Sequence, residues 1–126
     1  MTQIAVHTMD APQPGGRYSQ GREANGFLFT AGLGPQHPVT GEIAETIFEQ
    51  TGQVLRNIQA ILAERGLTLD DCIKATVHLA NLEDFAEFNS AYEEFFNEPY
   101  PVRTTVGSQL AGIRVEIDVI AVLPPK

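Results

Sequence analysis

The sequence predicts an α+β fold, a sheet with both helices packed on one face, and three patterns carry that expectation. Ile47, Thr51, Val54, Leu55, Ile58, Ile61 and Leu62 recur at spacings of three and four, which keep one side of a helix dry. Ile73, Ala75, Val77 and Leu79 alternate with Lys74, Thr76, His78 and Ala80, the period of a strand with one face in a core. Strand-like runs precede, separate and follow two helical runs, an order that suits helices collected on one side of a sheet. With 126 residues and no repeat, low-complexity run or linker-like break, the expectation is one domain over 1–126.

The elements follow in order. A first strand is counted over Gln3 to His7, and Pro12-Gln13-Pro14-Gly15-Gly16 marks a turn. Gly26-Phe27-Leu28-Phe29-Thr30-Ala31-Gly32 is a short aromatic run bounded by glycines and reads as a strand, closed by the loop Gly34 to Gly41. The first helix starts near Ile47, with Arg65 expected as a cation in its last turn and Gly66 as its stop. After a turn at Asp70-Asp71 comes the alternating strand. Asn81 can cap a second helix with Asp84 in its first turn, and Leu82, Phe85, Phe88, Asn89, Tyr92, Phe95 and Phe96 follow at helical spacing. Pro99 and Pro101 end it, and two strands, Val102 to Gly107 and Arg114 to Val122, finish the chain.

The last strand raises a question about the side of the sheet that no helix covers. Val115, Ile117, Val119 and Ala121 point one way, whereas Glu116, Asp118, Ile120 and Val122 point the other. That second side also receives Thr76 and His78, so it mixes apolar and polar residues. Apolar area left in water favours association, and a closed homo-oligomer is the expectation, with polar residues at the interface lining a site between subunits.

Composition excludes several classes of function. Eight basic against 16 acidic residues give a formal charge of −8, a field that repels phosphate backbones and anionic lipid, so neither nucleic acid nor membrane is expected as a partner. No apolar run approaches the roughly 20 residues that span a bilayer. Met1-Thr2-Gln3-Ile4 lacks the basic and apolar regions of a signal peptide, and a cytoplasmic location is expected. Cys72 is the one cysteine and reads as a buried small hydrophobe. His7, His37 and His78 lie far apart without metal-ligand spacing, so no metal is expected.

One pairing carries chemistry. Arg103 lies in Pro101-Val102-Arg103-Thr104-Thr105-Val106, and Glu116 lies in the strand that follows. An arginine that grips a carboxylate and a carboxylate that moves a proton beside it would serve a carboxylate-bearing substrate. Several segments together resemble the Rid family, also called the YjgF family, of small imine and enamine deaminases. They are Gly16-Arg17-Tyr18-Ser19-Gln20; Phe29-Thr30-Ala31-Gly32 with Thr40-Gly41-Glu42; Lys74-Ala75-Thr76-Val77; Asp84 to Asn89 with Tyr92 and Phe95-Phe96; Pro101 to Val106; and Val115 to Val122. The set runs through most of the chain in the family's order and spacing.

The resemblance implies a chorismate-mutase-like α+β fold with a mixed sheet, assembled as a homotrimer with sites in the clefts between subunits. It implies hydrolysis of 2-aminoacrylate-type enamines, or the matching 2-imino acids, to 2-keto acids and ammonia, without a cofactor. By the same resemblance Arg103 holds the substrate carboxylate, and Glu116 positions the attacking water and shuttles protons to the departing amine. Tyr18 lines the pocket, or equally anchors a loop; Asn89 either reaches the substrate or bonds helix to loop. Thr105 stands where many members carry cysteine and contributes its backbone N–H. Asp118 is left structural.

The chain also departs from the family. Ala31 replaces the usual serine before Gly32 in the pocket wall, removing a hydroxyl and roughly 1 kcal/mol of hydrogen bonding. Leu33-Gly34-Pro35 replaces the usual Q-[IL]-P turn, and the connections before Arg103 and between Val106 and Val115 look short. Three other functions compete. They are a non-catalytic trimer that binds small carboxylates or acts as a chaperone-like module, an endoribonuclease, the label long attached to this family, and, last, a chorismate mutase on fold analogy alone.

Overall fold

The computed structural model describes residues 4–125, and residues 1–3 and 126 lie outside it. Six strands, β1 (Ile4–Val6), β2 (Gly21–Ala24), β3 (Phe27–Thr30), β4 (Cys72–Leu79), β5 (Val102–Gly107) and β6 (Val115–Val122), form one sheet in the order β1-β2-β3-β6-β4-β5. Only β4 and β5 run parallel, joined by the crossover that contains α2 (Phe85–Tyr92). The mixed sheet carries α1 (Ile47–Ala63) and α2 on one face, as expected.

The amphipathic stripe of α1 makes the core. Val54, Leu55, Ile58, Ile61 and Leu62 are fully buried against Leu28 of β3, Val77 and Leu79 of β4, and Val115 and Ile117 of β6. Thr46 begins the helix, its side chain accepting from the Glu49 backbone N–H at 3.1 Å, and Gly66 ends the chain reversal at φ 69°. Arg65 falls outside the last turn, because the helix stops at Ala63; its Nε donates instead to Glu23 of β2 at 2.7 Å.

Other expectations are corrected. Gly21–Ala24 was not anticipated as a strand, yet it pairs with β3 across the turn Asn25-Gly26, both residues at positive φ. Arg22 and Glu23 hide a two-residue turn that Asn-Gly announces. In β4 a bulge between Cys72 and Lys74 reverses the start of the alternation, so Cys72 is buried and Ile73 is 44% exposed. The second helix is also shorter than its aromatic stripe. Asn81 caps a 3₁₀ turn over Leu82–Asp84, and the α-helix ends at Tyr92, so Leu82 is solvent-exposed and Phe95 and Phe96 lie beyond the helix.

The predicted division of β6 holds in every position. Val115, Ile117, Val119 and Ala121 are buried, and Glu116, Asp118, Ile120 and Val122 are not. On that open side Phe29 pairs with Ile120, Phe27 with Val122, Thr76 with Asp118 and His78 with Glu116. Phe27, Phe29, Val102, Val106 and Val122 are each more than a third exposed there.

Candidate functional site between two sheet faces

Arg103 and Glu116 stand on opposite sides of the sheet. Arg103 is in register with Ala75, a fully buried core residue, so it points toward the helices. Glu116 is in register with His78 and points into the open face. Cross-strand partners share a face, and the two side chains therefore open onto different cavities of one chain.

The arginine cavity, about 530 Å³, lies between the edge strand β5 and α2, and Asn89, Tyr92, Glu93, Phe96, Tyr100 and Pro101 line it with Arg103, Glu93 making no ion pair with the guanidinium. The guanidinium carbon sits 5.7, 5.4 and 4.7 Å from the ring centres of Phe85, Phe88 and Tyr92. Ring faces attract the cation without neutralising it. The ion pairs among the described residues are Arg65 with Glu23 and Arg114 with Asp84, so Arg103 keeps its charge available to an anion. Burial raises the Tyr92 phenol above its ordinary 10.0, and the charge of Arg103 opposes that rise. Asn89 lines this cavity, and its side chain makes no hydrogen bond to a loop among the described residues. Thr105, two residues along β5, has a buried hydroxyl with no hydrogen-bond partner among the described residues.

The carboxylate cavity, about 310 Å³, is lined by Glu116 with Tyr18, Ala31, Gly32, Gln36 and Ile113. Here Gly32 lies directly against the Glu116 side chain. A Cβ at that position would stand 2.9 Å from the Glu116 carboxyl carbon. Tyr18 is exposed, and its hydroxyl already accepts the Gly15 N–H at 3.1 Å, so it both faces the cavity and anchors its own loop. Gln20, 2% exposed, ties that loop down by accepting from Thr8 N and donating to the carbonyls of Thr8 and Pro12. Asp118, farther along the open face, is raised by burial, an effect that His78 and Lys74 oppose. His78 itself shares a hydrogen bond of 2.7 Å with the Ser108 hydroxyl.

Cys72 takes no part in either cavity. Burial, reinforced by Asp71 and Asp70, pushes its thiol from 9.0 up to about 12. A third groove of about 430 Å³, between the 35–44 loop and the outer sides of α1 and α2, contains none of the expected site residues. No group of three or more His, Cys, Asp or Glu side chains among the described residues is arranged to hold a metal.

The model for the family described as Endoribonuclease L-PSP matches residues 8–123. A RutC family protein of Pyrococcus horikoshii is 47% identical over 119 residues, covering 92% of this chain and 94% of its own. The solved structure of the Escherichia coli YjgF gene product superposes with a TM-score of 0.89 at 35% identity, covering 94% of this chain and 98% of that one. The chain belongs to the Rid/YjgF family.

Within the Rid/YjgF family the relatives carry different functional names. TdcF of Escherichia coli, provisionally named a reactive intermediate deaminase, is 39% identical over 124 residues, covering 93% of this chain and 95% of its own. Its crystal structure holds serine and superposes with a TM-score of 0.91 at 36% identity, covering 96% of this chain and 99% of that one. Sequence reasoning found the family and named Arg103 and Glu116, each of which lines one of the two cavities. It passed over Gln36, Ile113 and Tyr100, because no pattern in the chain marks loop residues that converge only in space.

Proposed function

We propose that the chain hydrolyses 2-imino acids and their 2-enamine tautomers to 2-keto acids and ammonia in a cleft between subunits of a homotrimer. The observation that carries this is Arg103, a half-buried cation held on three aromatic rings with no carboxylate partner among the described residues. Such a group suits a substrate carboxylate, which a guanidinium engages through two parallel hydrogen bonds. Because Glu116 opens onto the other side of the sheet, a substrate on Arg103 of one chain meets Glu116 of the next. The exposed apolar residues of the open face support the assembly that this needs.

The steps require only water. An enamine first gains a proton at its terminal carbon and becomes the iminium. Glu116 accepts a proton as water adds to the C=N carbon, and the C–O bond forms while the π pair moves to nitrogen. Glu116 returns that proton to nitrogen and then takes the hydroxyl proton as the C=O bond forms and the C–N bond breaks, so ammonia leaves a 2-keto acid behind and Glu116 gives its proton up to water. Ala31 contributes no hydroxyl to this site, which keeps open a carboxylate-binding module without turnover. Cleavage of RNA finds little support in a charge of −8.

Imines generated by an amino acid oxidase test the reading by the rate at which they disappear. Acceleration by the wild type, lost in Arg103→Ala and in Glu116→Gln, is the expected result. Calorimetry should find 2-ketobutyrate still bound by Glu116→Gln but not by Arg103→Ala. Binding without turnover in the wild type would establish the module instead.

A further inference from the structure

We propose that Asn57, a buried residue of α1, is a positioning residue for Glu116, an inference that rests on the deaminase reading above. Asn57 is 1% exposed and, with Gln50 and Thr51, is one of the polar residues on the buried face of the helix. Its Nδ2 donates to the carbonyls of Gly34 and Gln36, each at 3.0 Å, and its Oδ1 accepts from Gln53 Nε2 at 2.9 Å. A buried amide is costly unless bonded, and here both ends are engaged.

What Asn57 holds is one wall of the Glu116 cavity. Ala31, Gly32, Leu33, Gly34 and Gln36 all line that cavity. The sheet pins the near end of the segment, since Leu33 and Ile117 exchange backbone hydrogen bonds of 2.8 and 3.1 Å beside Glu116. Past Leu33 the chain leaves the sheet, and Asn57 ties its carbonyls to α1. The segment is thus fixed from both ends, and Gly32 leaves the Glu116 carboxyl no more than van der Waals room. A wall that slackens lets the carboxylate and its water drift, and a misplacement of about 1 Å can cost on the order of 100-fold in rate. Arg103 belongs to the other half of the site and does not feel the change.

The test separates this role from plain structural support. Asn57→Asp presents an acceptor to two carbonyls in nearly the same volume, Asn57→Ala removes the tie, and Gln53→Ala leaves the tie and frees Asn57 Oδ1, together with the exposed Arg56 that Gln53 also bonds. Measured well below each variant's melting temperature, both Asn57 variants should lose at least roughly tenfold in kcat. KM and the affinity for 2-ketobutyrate should stay within about twofold. Gln53→Ala should lose kcat by a smaller factor. A kcat equal to wild type, with only the melting temperature lowered, overturns the inference and leaves the deaminase reading standing. If neither Asn57 variant folds, an unchanged kcat in Gln53→Ala overturns it. A wild type without turnover overturns both.

Discussion

Gly32 and Cys72 illustrate how single residues are decided by what lies next to them. The atoms a methyl group at position 32 would meet first all belong to the flexible Glu116 side chain, so the fold can absorb it by swinging the carboxylate aside. Gly32→Ala should therefore keep its melting temperature within a degree or two but lose roughly 10- to 100-fold in imine turnover. A variant with full activity would show that the position of Glu116 does not matter. Cys72 makes a pH prediction. The unfolded thiol ionises near 9.0 and the folded one near 12, so the unfolded chain binds fewer protons across that window and stability falls as pH rises through it. Denaturant titrations between pH 8 and 11 (on the order of the window where the shift acts) should show this fall in the wild type and less of it in Cys72→Ala. Iodoacetamide should leave the native thiol intact at neutral pH.

At the scale of elements, α1 was legible from its own periodicity because one helix face carries the core and a period of 3.6 leaves a visible stripe. Its N-cap is local chemistry, and Thr46→Ala should cost about 1 kcal/mol in urea unfolding by removing the acceptor for Glu49 N–H. A loss below about a quarter of that would assign the cap to backbone alone. Other elements were harder to see. The bulge in β4 arises from pairing with β6, so alternation within β4 misplaced Ile73, while Cys72 is buried as its residue type led one to expect. The aromatic run of the second helix mixes residues with two tasks. Phe88 packs in the core, whereas Phe85, 40% exposed, faces Arg103, and spacing alone cannot separate them.

The proposed function asks, at the scale of the whole molecule, that two chains complete one site. Mixing Arg103→Ala chains with Glu116→Gln chains, each inactive alone, should restore about a quarter of wild-type activity after subunit exchange, because each interface of a closed ring takes one half from each neighbour. No recovery in mixed oligomers of confirmed trimeric mass would refute the shared site. The relatives include a yeast protein, Mmf1, named as mitochondrial, so the expected cytoplasmic location does not follow from the family. Among the described residues no helix is long and apolar enough to cross a membrane. The sequence by itself determined the fold class and the family, and it singled out Arg103 and Glu116 as candidates, because periodicity and local motifs are written along the chain. Only the tertiary structure decided that Arg103 faces the helices, opposite Glu116, and that Gly32 and Gln36 line the cavity of the carboxylate. Register and close approach come from strands pairing across long separations, and no local pattern encodes them.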